Sequence, residues 1–348
     1  MLTEAIDILS AWRNGESAFT LTTSGSTGEP TPITHNREAL TWSAMSTLHA
    51  WYNPTNPPIQ LCTLPLNKAG GFMQLIRAAV WQSSIWITPP TSNPLSNLDA
   101  AHLLQFNRET KQFETRPLSQ DFWNQYKPTT VSLTPMQLSL ILNEPSSASM
   151  LSDFEVVLIG GQALSAEIEQ RLITDYPNTR FIHTFGSTET ASHFAGREIT
   201  PDNSDYLIAP GTQIKTNQLG ELQIANPTTK QAWLTLHDRV TITAPNRFQW
   251  IERSNLYINT GGVKIAIETL ESQIATLTHW PLFSFYIAGK SHPVYGEQIT
   301  LFTTHNQPLP QIQAALSSLN KLEQPKEIVF IPAVPTLSNG KIYRNPNP

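Results

Sequence analysis

Thr22-Thr23-Ser24-Gly25-Ser26-Thr27-Gly28-Glu29-Pro30-Thr31-Pro32-Ile33-Thr34 directly follows a short strand-like run, Ala18–Leu21. A loop rich in hydroxyls and glycines after a strand is suited to holding phosphate. Gly25 and Gly28 let backbone N–H groups face an anion without a Cβ in the way, and Ser24, Ser26 and Thr27 add hydroxyl donors. The spacing Gly-x-x-x-x-Gly-Lys-Ser/Thr of a Walker A loop is absent. A flexible Ser/Gly linker has a similar composition, so the reading depends on what surrounds the loop.

Outward from this stretch, strand and helix signals alternate to about residue 190. Strands are expected at Ala18–Thr22, Ile59–Thr63, Ser84–Thr88, Thr130–Leu133, Glu155–Ile159 and Arg180–Phe185. Helical patterns lie between them: Arg37–His49 opened by Asn36, Gly71–Trp81, Met136–Asn143, and Ser165–Asp175 with its serine cap. Such alternation predicts an α/β fold with a mostly parallel sheet covered by helices. From about 206 to 251 the signal changes to short strands with Asn, Pro and Gly turns, a small antiparallel β region. An α+β pattern follows: helix Ile267–Leu277, strands Ser284–Ala288 and Gln298–Thr303, helix Pro310–Leu319, strand Glu327–Ile331. The expected boundary falls at Arg253–Leu256, giving a large domain over 1–253 and a small one over 256–348.

Composition bounds the function. A chain of 348 residues can bury a large core, and a formal net charge of −5 argues against nucleic acid as the main partner. One cysteine, Cys62, leaves no internal disulfide or cysteine metal cluster; within the apolar run Ile59–Leu64 it reads as a buried structural thiol. There is no stretch of ~18 apolar residues, and Met1–Arg13 carries acids in an amphipathic pattern unlike a signal peptide. A soluble, cytoplasmic protein is expected.

Further motifs follow the loop in a fixed order. These are Ile159-Gly160-Gly161-Gln162-Ala163-Leu164, Thr184-Phe185-Gly186-Ser187-Thr188-Glu189-Thr190, Leu236-His237-Asp238, Trp250-Ile251-Glu252-Arg253, Ile258-Asn259-Thr260-Gly261-Gly262-Val263-Lys264-Ile265 and Pro335-Thr336-Leu337-Ser338-Asn339-Gly340-Lys341-Ile342-Tyr343-Arg344. Together they resemble the adenylate-forming superfamily of acyl-CoA synthetases, luciferases and nonribosomal-peptide adenylation domains. The resemblance runs from about residue 18 to the C-terminal end. The joint order is far more specific than any single motif. Most relatives carry well over a hundred residues before the phosphate loop, so the large domain reads as N-terminally shortened.

The resemblance implies an ATP-dependent ligase that forms an acyl-adenylate and passes the acyl group to coenzyme A. Thr23, Ser24, Gly25, Ser26, Thr27 and Gly28 would hold the outer phosphates. Thr188 would meet the α-phosphate and Glu189 a Mg²⁺ ion. Gly160, Gly161, Gln162, Phe185 and Gly186 would line the nucleotide, with Asp238 and Arg253 at the ribose. Lys341 would be the catalytic cation between the substrate carboxylate and the α-phosphate. Gly261, Gly262 and Lys264 would form the thiolation face, presented when the small, mobile domain turns about a hinge at Asn255.

The chain departs from the family pattern in places. Thr31 stands where the phosphate loop usually has lysine, with His35 and Arg37 nearby as replacements for its charge. Leu236-His237-Asp238 replaces Thr-Gly-Asp, Glu252 replaces glycine, and Asn255 replaces Asp or Lys. Three segments, Leu64–Gly71, Pro89–Leu95 and Thr188–His193, resemble the short o-succinylbenzoate CoA ligases of menaquinone synthesis. That substrate carries a second carboxylate, for which Lys68, Arg77 and His193 are the candidate partners. Two alternatives stay open on sequence: an enzyme loading another aromatic acid onto CoA or a carrier protein, and a nucleotide-binding homologue without activity.

Overall fold

A computed structural model describes residues 1–23, 31–337 and 342–347. Ser24, Gly25, Ser26, Thr27 and Gly28 of the loop, and Lys341, lie outside the described residues. Two compact units emerge: Met1–Lys215 with Gln223–Leu234 and Ile242–Gln249, and Thr216–Leu222 with Thr235–Thr241 and Trp250–Pro348.

The first unit is built on a large mixed sheet. Five neighbouring strands run parallel: Ile85–Ile87, Gln60–Cys62, Thr130–Leu133, Val156–Ile159 and Arg180–Gly186. Their side chains alternate between two buried faces. Leu61, Trp86, Val131, Val157 and Ile159 enter one core with Leu138, Ile141 and Leu172 of the covering helices. Cys62, Ile85 and Ile87 enter another with Ala5, Leu9 and Leu75. Burial on both faces explains why these strands read as continuous apolar runs.

The prediction of a mostly parallel sheet holds for this centre alone. At one side the strand Ile85–Ile87 pairs antiparallel with His102–Asn107, which forms a hairpin with Gln112–Pro117. At the other, Arg180–Gly186 pairs antiparallel with His193–Glu198, and that strand with Tyr206–Ile208.

Helix starts match their capping chemistry. Asn36 Oδ1 accepts the Ala39 N–H at 2.8 Å, Ser165 caps Ala166–Asp175, and Thr134 with Gln137 forms a capping box on Pro135–Leu142. Apart from the large sheet, Ala18–Thr22 and Pro32–Asn36 form an antiparallel hairpin, from Ala18 opposite Asn36 to Thr22 opposite Pro32.

The second unit contains a five-stranded sheet, made of Tyr257–Thr260, Val263–Ala266, Phe285–His292, Gly296–Thr303 and Glu327–Phe330. Glu327–Phe330 joins in parallel and the other pairings are antiparallel. Helix Ile267–Thr278 buries Leu270 and Ile274 against Phe285, Ile287 and Leu301. Among the described residues no helix is long and apolar enough to cross a membrane.

Candidate active site

In the first unit, the hairpin base brackets the residues around Gly25 and Gly28. Thr23 N–H donates to Thr31 O, and Thr31 N–H to Thr23 Oγ1, both at 2.9 Å. Thr31 uses its backbone for both bonds and its side chain is exposed. The two residues expected to replace the missing loop cation each have partners of their own. Arg37 donates to Trp12 O at 2.6 Å and stacks 3.9 Å over the Trp12 ring. His35 is buried and hydrogen-bonded through Nε2.

The turn carrying Thr188 and Glu189 joins Arg180–Gly186 to His193–Glu198. Gly186 faces His193 across the ladder, and a Cβ there would stand 2.3 Å from Ser192 O, so only glycine closes this turn. Thr190 organises its interior: Oγ1 receives Ser187 N–H at 2.9 Å and lies within hydrogen-bonding distance of Ser187 O and Ser192 O. Thr188 and Glu189 stay half-exposed on this rigid frame. Glu189 offers one hard oxygen ligand, which suits Mg²⁺ when phosphates and water supply the rest.

Gly160 and Gly161 end the strand Val156–Ile159. A Cβ on Gly160 would meet Thr184 Oγ1 at 2.4 Å, and Gly161 takes φ +102°. Gln162 O is held by His183 Nε2 at 2.9 Å, and His183 Nδ1 by the Tyr206 hydroxyl at 2.8 Å. Burial holds the His183 ring neutral, its pKa lowered to about 4. Phe185 is fixed edge-on by Phe194, Tyr206 and Phe248, with centroids 5.3–5.8 Å away.

Two of the three substrate candidates meet behind the Thr188 turn. Arg77, on helix Ala69–Trp81, is 2% exposed. Its Nη2 donates to Ser192 Oγ at 2.5 Å and approaches His193 Nδ1 at 3.4 Å. A guanidinium only donates, so Nδ1 is the acceptor and the His193 proton sits on Nε2, facing Thr47 Oγ1 at 3.1 Å. Thr47 in turn donates to Ser43 O at 3.0 Å. Burial, then the Arg77 charge, hold His193 well below its ordinary pKa.

No carboxylate among the described residues pairs with Arg77. Its Nε lacks a partner, and burial lowers its pKa to about 10. Lys68 stands apart at the N-terminal boundary of the same helix, half-exposed. The sequence reading did not pick out Ser192, inside the Thr188–His193 segment, or Thr47 and His183 as partners. Cys62 is the buried thiol expected, its pKa pushed up to about 12 by burial.

In the second unit, buried Asp238 accepts Trp250 Nε1–H at 2.9 Å and lies 3.5 Å from Arg253 Nε, both on Oδ1. Ser254 hydrogen-bonds Glu221 and holds its pKa down, helped by the Asn217 amide, while Asn255 is exposed in the turn that follows. Gly261 and Gly262 take φ +58° and +80° and make the two-residue turn between Tyr257–Thr260 and Val263–Ala266, a local reason for both glycines. Lys264 is exposed, with Nζ 4.3 Å from the Tyr257 ring.

The family model described as AMP-binding enzyme matches residues 8–231, well over half of the chain. A 2-succinylbenzoate–CoA ligase of Listeria monocytogenes serotype 4b is 22% identical over 370 residues, covering 98% of this chain and 72% of the relative. An acyl-CoA synthetase (AMP-forming)/AMP-acid ligase II-like protein from Dyadobacter fermentans superposes with TM-score 0.59 at 29% identity, covering 97% of this chain and 91% of that one. The O-succinylbenzoate coenzyme A synthetase of Bacillus subtilis, solved with ATP and magnesium, shares the fold at TM-score 0.71 and 16% identity, covering 94% and 69%. With the family model matching well over half of the chain on a shared fold, the chain belongs to the AMP-binding enzymes, the adenylate-forming superfamily.

Proposed function

We propose that the chain activates 2-succinylbenzoate and transfers it to coenzyme A, the step that supplies 2-succinylbenzoyl-CoA for menaquinone synthesis. A carboxylate is a poor electrophile because oxide does not leave at neutral pH. Attack of the succinyl carboxylate on the α-phosphate of ATP forms the acyl–phosphate bond and releases pyrophosphate. The CoA thiolate then attacks the acyl carbon and AMP departs. No covalent enzyme intermediate is needed, so positioning and charge stabilisation carry the catalysis.

In this reading Thr23 to Gly28 hold the β- and γ-phosphates and Thr188 the α-phosphate. Glu189 would hold Mg²⁺, which neutralises phosphate charge when bound. Gly160, Gly161, Gln162, Phe185 and Gly186 line the adenine, Asp238 and Arg253 take the ribose, and Lys341 bridges the reacting carboxylate and the α-phosphate. Residues 1–253 form the adenylation domain. Residues 256–348 carry Lys341 and the thiolation face of Gly261, Gly262 and Lys264, with Asn255 as the hinge.

The observation that carries the substrate assignment is Arg77, a buried guanidinium with no carboxylate paired to it among the described residues. An unpaired charge in the interior is expensive, and an anionic ligand group offsets that cost. Ser192 Oγ takes its hydrogen bond from Arg77 and stands 3.4 Å from His193 Nδ1, so the guanidinium is held by neutral groups alone among the described residues. ATP–pyrophosphate exchange across a panel of aromatic and aliphatic acids, followed by CoA addition, tests the reading. Exchange is expected to be fastest with 2-succinylbenzoate. A preference for fatty acids, or transfer to a carrier protein but not to CoA, would contradict it.

A further inference from the structure

The residues flanking Gly25 and Gly28 and the turn bearing Thr188 belong to different parts of the first unit, yet ATP would have to engage both at once. The hairpin Ala18–Thr22/Pro32–Asn36 forms a sheet of its own, so among the described residues no strand ladder fixes it to the Thr188 turn. Its packing is apolar: Leu21 joins Trp12, Leu40 and Phe72, and Phe19 lies 5.7 and 5.5 Å from the Trp12 and Phe72 rings. Apolar packing sets contact but little direction.

His35 supplies the direction. It is 3% exposed, lies opposite Phe19 in the hairpin, and places Nε2 2.7 Å from the carbonyl of Thr188. A carbonyl only accepts, so Nε2 carries the proton. The next residue, Asn36, caps helix Arg37–Trp51, which fixes the strand end from which His35 projects. The bond therefore joins the two nucleotide-contacting elements of the adenylation reading at the backbone of Thr188 itself.

We propose that His35 is a positioning residue that sets the spacing between the phosphate-loop hairpin and Thr188, and so selects for a ligand spanning both. The proposal rests on the assignment of these two elements to ATP. Its test compares ATP with AMP, which has no β- or γ-phosphate to reach the hairpin. Calorimetric Kd values for both nucleotides, and KM and kcat in pyrophosphate exchange, would be measured for His35→Ala, His35→Asn and His35→Gln. Glutamine can place its amide N–H near the Nε2 position, whereas asparagine is too short.

The Ala and Asn variants are expected to lose ATP affinity by about 10- to 100-fold. Their AMP affinity and acid KM should stay within about threefold, and Gln should restore most of the ATP affinity. Equal loss for ATP and AMP, or no rescue by Gln, would overturn the proposal and leave His35 with a packing role. If His35→Ala fails to fold, the Asn and Gln variants decide the matter by themselves. If the wild type shows no exchange with any acid while the ATP-to-AMP pattern still appears, the positioning role stands and the adenylation reading falls.

Discussion

Arg344 and Arg77 are both largely buried guanidiniums, and they have opposite surroundings. Arg344 grips Glu271 through Nη2 at 2.6 Å and Nε at 3.2 Å, and Glu271 also accepts Ile287 N–H at 3.0 Å. Burial alone would pull the Arg344 pKa down, but the Glu271 charge and hydrogen bonds outweigh it and the net shift is upward. Arg197 follows the same pattern with Glu169. Arg77 has burial without a carboxylate among the described residues, and its pKa falls to about 10. A pair with its partner in place holds the fold together. An interior cation without one leaves its burial cost uncompensated within the fold.

The largest effect that could break this contrast is on stability. Arg344→Ala leaves Glu271 buried and unpaired and is expected to cost about 3 to 5 kcal/mol. Denaturant unfolding measures it, and a loss below about 1 kcal/mol would place Arg344 among the exposed pairs that contribute little. The same residue anchors the segment after Lys341, together with Tyr343 N–H to Pro335 O at 2.8 Å and the Tyr286 hydroxyl to Asn345 O at 2.9 Å.

Next comes the cation assigned to the transition state. Lys341→Ala is expected to slow acyl-adenylate formation by about 10²- to 10³-fold or more, leaving thioester formation from supplied acyl-adenylate largely intact. Single-turnover assays of each half-reaction separate the two, and equal loss in both would remove Lys341 from its role.

Arg77→Met should behave unlike Arg344→Ala. Because the Arg77 pKa is lowered on folding, its burial costs stability at neutral pH, and that cost fades as pH rises through about 10. The variant is therefore expected to unfold within about 1 kcal/mol of wild type or to be more stable at pH 7, with any gain shrinking above pH 10. Chemical unfolding at both pH values checks the sign. The smallest effect is expected from Thr31→Lys. Since Thr31 makes its bonds through the backbone, a lysine fits there. ATP affinity should be unchanged or tighter by about 1 kcal/mol, and a large loss in calorimetry would show that the hairpin base depends on the threonine side chain.

The sequence made the central sheet legible because apolar runs such as Val156–Ile159 alternate with helices whose caps, Asn36 and Ser165, sit where the pattern starts. The hairpin His102–Asn107/Gln112–Pro117 and the strand Pro32–Asn36 gave no such signal. They are stabilised by pairing partners, and a polar, proline-led pentapeptide has little strand propensity of its own. In the candidate site, Arg77 and His193 were legible by chemistry and placement only. Their union through Ser192, across 115 positions, and the His35–Thr188 bond across 153 were not, since only the folded topology brings such distant residues together. The bonds of His35 to Thr188 O and of Arg37 to Trp12 O were illegible for a related reason. Proximity in sequence said nothing about which way a strand-end side chain would point.

The central claim is that Arg77 is kept unpaired for the ring carboxylate of the substrate. The most direct measurement is kcat/KM for 2-succinylbenzoate and for 4-oxo-4-phenylbutanoate, the same acid without the ring carboxylate, in wild type and Arg77→Met. The wild type should prefer the dicarboxylate, and the variant should lose about 2 to 4 kcal/mol with it and little with the monoacid, so that the preference collapses. Equal losses with both acids, or a preference that survives the substitution, would contradict the account.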